Sequence, residues 1–335
     1  MIRKERKIPI SLLKYEALLR RIQPSHPKRA KIEEEYAKSR AGYYGEQSLD
    51  YYLKTLHDKK YYIFHDLRLS VNSSFFQIDS LLISQQFILV IEMKNISGTI
   101  YFDDKFKQLV RTINGKEEGF PDPILQAERH KSMLFDWIKF HKIPCPPIEY
   151  LIVISKPSTI IKTPPSNRNL PHKVIHNANL PSMIKEFERK NVFEKLSIKE
   201  MRKLSNLLIK KDSPYSQDIL KKFNIHESEL IRGVHCRHCN YLPMTRTYSS
   251  WKCVNCSFSS RSAFIPSLTD FALLCSSTIK NKEMREFLQL SSRSSVMNLL
   301  KSLNLEHRGT TKGRVYDLKQ LIEKLQNEKG FDINI

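Results

Sequence analysis

Apolar residues along this chain change period several times, and each change marks an element. Gly45-Glu46 opens a helix with Leu49, Tyr52, Leu53 and Leu56 at helical spacing. Three strands are predicted next, over 61–69, 75–83 and 87–93. The last is a continuous apolar run, as expected of a strand covered on both faces. Residues 99–113 read as a hairpin or irregular excursion. Pro123 sets up a helix over 124–140 whose apolar residues are Leu125, Met133, Leu134 and Trp137. After a proline-rich break at 144–147 comes a further strand over 148–154. Helix, three strands, helix, strand is the order of an α/β layer architecture.

The rest of the chain is more broken. Pro157, Pro164, Pro165 and Pro171 mark loops, and short apolar runs at 173–175 and 180–187 are expected to complete the first domain. A helical stretch over 197–211 reads as a link to the C-terminal modules. Residues 1–40 are rich in basic side chains and are expected to form helical pieces broken at Pro24 and Pro27, read as a solvated arm rather than a DNA-contacting one. The expected organisation is a basic arm (1–40), an α/β domain (41–190), a helical linker (191–231), a cysteine module (232–262) and a C-terminal α+β module (263–335). No internal repeat or low-complexity tract is visible.

Charge narrows the partners. A chain of 335 residues with a formal net charge of +21 favours a polyanion, and nucleic acid rewards many Lys and Arg contacts at once. The blander reading is a generally basic soluble protein. No basic amphipathic anchor suggests a membrane surface, no stretch approaches a membrane-spanning length, and residues 1–10 lack the apolar core of a signal peptide. The expected location is therefore the cytoplasm. Four of the six cysteines sit in two close pairs, which in a reducing compartment points to metal rather than disulfides.

One apolar run closes on Asp79 and the next on Glu92-Met93-Lys94. Phosphodiester hydrolysis needs an activated water and relief of the charge that builds on phosphorus, and carboxylate-bound Mg²⁺ or Mn²⁺ supplies both. Asp79 and Glu92 offer carboxylates and Met93 its carbonyl, enough for a cation that keeps several waters. Lys94 lies two residues after Glu92, on the same strand face, where it can orient water or stabilise the phosphorane. Glu-x-Lys alone is often ordinary strand-end charge. Here Glu46 sits near the start of an upstream helix and Gln126 near the start of a downstream one. His130 follows Gln126 by one helical turn and could face the site, but the favoured reading is a surface or core-edge histidine.

Gly42-Tyr-Tyr-Gly45-Glu46, Ile78-Asp79, Ile91-Glu92-Met93-Lys94-Asn95 with Gly98, and Pro123-Ile-Leu-Gln126 together resemble the nuclease-related domain of the PD-(D/E)XK restriction-endonuclease-like superfamily, over residues 40–155. The resemblance implies a core with a central mixed sheet flanked by helices. It also implies a metal-dependent nuclease with Asp79 and Glu92 as metal ligands, Lys94 as catalytic lysine, Glu46 as an additional acidic group and Gln126 as a polar contributor. Three positions depart from the pattern: Asp122 stands where the family often has Asn, Gln77 where it is often acidic, and Phe106 where it often has Trp.

Cys236-x₂-Cys239 and Cys253-x₂-Cys256 are separated by thirteen residues. Two such knuckles supply four thiolates for a tetrahedral Zn²⁺, and the intervening segment resembles the hairpin of a zinc ribbon. An iron–sulfur cluster would use similar ligands, but this spacing favours zinc. His235 and His238 are spare donors. Such a closed site is structural, and the module would present Arg237, Arg246, Tyr248, Trp251 and Lys252 to DNA or serve as a scaffold. Residues 268–327 resemble a winged helix-turn-helix domain: hydroxyl residues and Arg293 begin a helix, and a glycine-punctuated loop carries Arg308, Lys312 and Arg314 as a wing. The bland alternative is a helical protein-interaction domain. The resulting expectation is a Mg²⁺-dependent DNA nuclease with appended DNA-binding modules. The alternatives are a non-catalytic DNA-binding or regulatory protein on the same scaffold and an RNA-processing enzyme.

Overall fold

The computed structural model describes residues 1–56, 60–310 and 313–327. The chain divides into two compact units, Met1–Arg6 with Ala41–Tyr215 and Lys7–Arg40 with Ser216–Ile335. Strand β1 (Ile2–Lys4) is followed by helices α1 (Ile10–Arg21) and α2 (Arg29–Lys54), then strands β2 (Tyr62–Val71), β3 (Ser74–Ile83) and β4 (Ile88–Lys94). Next come β5 (Thr99–Asp103), β6 (Gln108–Ile113) and β7 (Lys116–Pro121), helix α3 (Pro123–Phe140), and strands β8 (Ile148–Ile154), β9 (Ile160–Lys162) and β10 (Val174–His176). Helices α4 (Leu180–Lys190) and α5 (Ile198–Lys211) end the first unit.

The first unit is built on a six-stranded mixed sheet in the order β1-β2-β3-β4-β8-β10. β2–β3 and β3–β4 pair antiparallel, whereas β1–β2, β4–β8 and β8–β10 are parallel. A parallel pair needs a long crossover, and α3 lies in the one between β4 and β8. β4 lies between β3 and β8, so its apolar residues divide between two cores. Ile88 and Val90 join Ala127, Leu134 and Trp137 of α3 and Met201, Leu204 and Leu208 of α5. Leu89, Ile91 and Met93 join Leu49 and Leu53 of α2 and Leu180, Ile184 and Phe187 of α4. This alternation puts Glu92 and Lys94 on the α3 side.

β2 and β3 break their alternation midway. Tyr62 and Phe64, then Leu67 and Leu69, enter the α3-side core, and on β3 it is Phe76 and Ile78, then Leu81 and Ile83. The phase inverts at Asp66, which has a left-handed φ of 52° and lies between the pairs His65–Ser80 and Leu67–Ile78, facing Asp79. The β3–β4 pairing stops at Ser80–Ile91, so the two strands part around Asp79 and Glu92.

The segment 99–113, read as a hairpin or excursion, forms β5 and β6 of a second sheet ordered β7-β6-β5-β9. The segment 197–211 is more than a linker, because Met201, Leu204 and Leu208, at helical spacing, lie in the core of the first unit. Nor is the basic N-terminal stretch a solvated arm. Residues 1–6 supply the edge strand β1, paired parallel to β2. In α1, Leu12, Leu13, Leu18 and Leu19 are buried, apolar burial that the surrounding charge conceals in a composition reading.

In the second unit, α6 (Ile219–Phe223) precedes the short strands β11 (Thr245–Arg246), β12 (Trp251–Lys252) and β13 (Ser259–Ser260), which form one antiparallel sheet. Helix α7 (Phe264–Leu274), strand β14 (Thr278–Lys280), helices α8 (Asn281–Leu288) and α9 (Arg293–Ser302), strands β15 (His307–Arg308) and β16 (Val315–Asp317) and helix α10 (Lys319–Asn327) complete the unit. The last three strands form an antiparallel sheet in the order β14-β16-β15. One core, including Trp251, Phe264, Leu268, Met284, Val296, Leu300 and Tyr316, runs through both parts. α1 packs against α7, and its fully buried Arg21 donates to Asp270 Oδ2 at 2.9 Å and to the carbonyls of Ile231 and Gly233 at 2.9 and 3.2 Å. Among the described residues no helix is long and apolar enough to cross a membrane.

Candidate functional site

Where β3 and β4 part, the sheet places charge in its interior. Glu92 is 2% exposed. Its Oε1 accepts from Lys94 Nζ at 2.8 Å and from Gln126 Nε2 at 2.6 Å, and Lys94 Nζ also donates to Gln126 Oε1 at 3.0 Å. Glu92, Lys94 and Gln126 thus close a triangle in which each side chain fixes the other two. Among the described residues Glu92 Oε2 has no hydrogen-bond partner, although His130 Nδ1, also buried and unpartnered, lies 3.4 Å away. At that distance the two atoms are close without an aligned hydrogen bond. Burial works to raise the Glu92 pKa, but His130 and Lys94 outweigh it and hold the carboxyl below its usual range.

Asp79, at the inverted point of β3, accepts from the Met93 amide at 2.8 Å. This side-chain bond takes over where the β3–β4 ladder has ended. Burial, then the neighbouring Glu92 and Glu46 carboxylates, push the Asp79 pKa well above its usual value, against the Met93 amide and Lys94. Glu46 is pushed up to about 7, by burial first and then by Asp66, Glu92 and Asp50, with Arg6 opposing. Crowded carboxylates of this kind attract a cation. Among the described residues, only the four-cysteine cluster brings three or more ligand atoms within 4.8 Å of one another. The acidic site brings no three of its carboxylates that close. Its unpartnered Glu92 Oε2 is a donor atom available to a cation.

Local sequence explains how the helices deliver their side chains. Asp122 caps α3 by accepting from the Ile124 amide at 2.8 Å, and Pro123 opens the helix, so the departure from Asn keeps the cap. Gln126 and His130, four apart, then share the face turned to Glu92. His130 lies inside the site rather than at its surface. On α2, a Cβ at Gly45 would lie 2.6 Å from Asn95 Cβ, so only glycine lets the helix come this close to the end of β4. Asn95 seals the approach, donating to the Ala41 carbonyl at 2.6 Å and accepting from Ser155 Oγ at 3.0 Å. That close approach carries Glu46 to the carboxylates.

Several neighbours escaped the sequence reading. Arg6 donates to Glu46 Oε2 at 2.6 Å and Asp50 Oδ1 at 3.1 Å, and His65 is 1% exposed beside it. Burial first, then Arg6, Lys4 and Lys54, push the His65 pKa down to about 3, so it is neutral. Gln77 donates to Asp66, and Phe106 is exposed in the β5–β6 turn, so neither joins the cluster.

In the second unit the four cysteine Sγ atoms lie within 4.8 Å of one another, with Cys236–Cys256 at 3.6 Å and Cys239–Cys253 at 3.5 Å. Four sulfurs about 2.3 Å from one Zn²⁺ would stand roughly 3.8 Å apart, so the donors fit that ion. The two knuckles have the same build. The Asn240 amide donates to the Cys236 carbonyl at 2.8 Å and the Ser257 amide to the Cys253 carbonyl at 3.0 Å, with Asn240 and Ser257 both left-handed. His235 is no spare ligand, because it is buried with Nδ1 2.9 Å from Ser267 Oγ and 3.3 Å from Asp270 Oδ2. Of the side chains expected on the ribbon's surface, Trp251 is in the core beneath Arg246, while Tyr248 is fully exposed. Arg293 is exposed at the start of α9, whose cap Ser292 accepts from the Ser295 amide at 3.2 Å. Arg308 is exposed on β15, Arg314 is half-buried before β16, and Lys312 lies outside the described residues.

An uncharacterized protein of Bacillus anthracis is 29% identical over 102 residues, 30% of this chain and 48% of that protein, so the chain spans about half the length of this curated relative. No solved structure matches the chain. Residues 41–155, which contain Glu46, Asp79, Glu92, Lys94 and Gln126, match the nuclease-related domain family.

Proposed function

We propose that the first unit is a metal-dependent nuclease with a restriction-endonuclease-like, PD-(D/E)XK core that hydrolyses DNA phosphodiester bonds. The observation that carries this reading is the closed Glu92–Lys94–Gln126 triangle beside Asp79, with one buried Glu92 oxygen left unpartnered. Asp79 and Glu92 would hold Mg²⁺ or Mn²⁺, with the Met93 carbonyl as a further donor. The bound ion would supply Lewis acidity and an acidified water. Gln126 holds Lys94 and Glu92 in register, so the ammonium is presented at a fixed point near the carboxylates. From there Lys94 orients the attacking water and meets negative charge gathering on the phosphoryl oxygens. Glu46 adds a third carboxylate to the cluster.

The second unit would bind the substrate. The order helix, strand, helix, helix, strand, strand over 264–317, with an exposed Arg293 at the start of α9, supports a winged-helix-like DNA-binding module. Residues 232–262 would be a zinc ribbon, with Cys236, Cys239, Cys253 and Cys256 as the ligands of one Zn²⁺. Arg308, Lys312 and Arg314 would contact the backbone from the wing. Such contacts make affinity fall steeply with salt.

The test is cleavage of single-stranded, double-stranded, branched and supercoiled DNA, and of RNA, with Mg²⁺ or Mn²⁺. Lys94→Ala is expected to lower cleavage about 100- to 1000-fold, the scale of a lost charge-stabilising group, while binding is retained. Intact substrates throughout would leave a DNA-binding protein on a nuclease-like scaffold. Metal analysis should find about one Zn per chain.

A further inference from the structure

We propose that Arg6 is a positioning residue of the acidic cluster, so that the N-terminal segment carrying β1, outside the matched residues 41–155, is part of the functional site. The Arg6 side chain is 3% exposed. One guanidinium nitrogen donates to Glu46 Oε2 at 2.6 Å, and Nε donates to Asp50 Oδ1 at 3.1 Å. The third nitrogen donates to Ser80 Oγ at 3.0 Å and lies 2.9 Å from His65 Nδ1.

These partners come from three elements. Glu46 and Asp50 are one turn apart on α2, His65 precedes the left-handed Asp66 on β2, and Ser80 follows Asp79 on β3. A planar fork of fixed geometry meets all of them in one orientation. A single side chain therefore ties α2 to both strands where their alternation inverts and where β3 leaves β4. Glu46 keeps 27% of its side chain exposed, so without the fork it is free to turn to water. The cluster would then lose its third carboxylate. Lysine offers one point of charge and cannot replace the fork.

This inference rests on the nuclease reading. Its test is a double-mutant cycle on the zinc-loaded full chain, read by Mn²⁺ titration calorimetry and by cleavage kinetics. Arg6→Gln is expected to weaken Mn²⁺ binding and lower kcat by about tenfold or more, with KM held within about twofold, as for residues that support metal ligands. In a Glu46→Gln background the same change is expected to cost less than about twofold, because Arg6 acts through Glu46. Should Arg6→Gln fail to fold, Arg6→Lys carries the same cycle. Unchanged Mn²⁺ affinity, equal effects in both backgrounds, or full recovery by Arg6→Lys would each overturn the role. A wild-type chain that binds Mn²⁺ but cleaves nothing sinks the nuclease reading and leaves the Mn²⁺ cycle to decide Arg6. A chain that binds no Mn²⁺ overturns both.

Discussion

Asp79 in the first unit and Asp270 in the second are both aspartates held among charged neighbours, yet they are treated in opposite ways. Asp270 is 1% exposed, with Arg20 at 2.8 Å, Arg21 at 2.9 Å and His235 at 3.3 Å. Burial works to raise its pKa, but Arg20, Arg21 and His235 hold it well below the usual range. Asp79 instead faces Glu92 and Glu46 and is pushed up. One cluster is complete within the protein and the other carries surplus negative charge. The first pattern suits a tie between segments, and the second sets negative charge against negative charge.

Each unit carries one of the chain's two tryptophans, Trp137 and Trp251, as a local probe of mutation. The largest effect is expected for Asp270→Asn, which leaves buried Arg21 without its counter-charge. Urea unfolding followed at Trp251 should show a loss of about 3–5 kcal/mol. A loss below about 1 kcal/mol would make the cluster dispensable. Next, Gly45→Ala forces a Cβ against Asn95, and unfolding followed at Trp137 should show about 1–3 kcal/mol lost, with cleavage lowered as Glu46 is displaced. A neutral Gly45→Ala would remove the close approach as the reason for that glycine.

A third test uses pH. The folded pKa of Glu46, about 7, lies above its unfolded value of 4.5. Its stabilising share is therefore full below 4.5 and is lost as pH rises through 7. Asp270 runs the other way, present above its unfolded value of 3.8 and lost as pH falls. Between pH 5 and 7 the Trp137 signal should report a decline of about 1–2 kcal/mol, discounted for partial exposure, that Glu46→Gln abolishes. Equal slopes in wild type and Glu46→Gln would refute the assignment. The smallest effect belongs to Asp79→Asn, which relieves repulsion. Stability at Trp137 should stay within about 1 kcal/mol of wild type or rise slightly, although cleavage is abolished.

What could be read from the sequence depends on how local each feature is. The apolar run ending in Glu92-x-Lys94 lies within one strand, and Gln126 and His130 lie on one helix face, so their proximity follows from period alone. The cysteine pairs are legible for the same reason. Arg6 is not, because nothing in a basic N-terminal run distinguishes the residue that meets Glu46 some forty positions later. Asp66 is hidden for another reason: a left-handed residue inside a strand inverts the facing of β2 and β3, and ordinary alternation does not announce it. The burial of α1 was available in principle from Leu12, Leu13, Leu18 and Leu19, but the lysines and arginines around them dominate composition.

The interleaving of the two units along the chain has a consequence for biosynthesis. Helix α1 leaves the ribosome early with its leucines uncovered, and its packing partner α7 begins at Phe264. At about 5–20 residues per second the wait is on the order of ten to fifty seconds. During that time strands β2 to β10 of the first unit are synthesised. The nascent protein thus carries this helix through most of its translation before α7 is made.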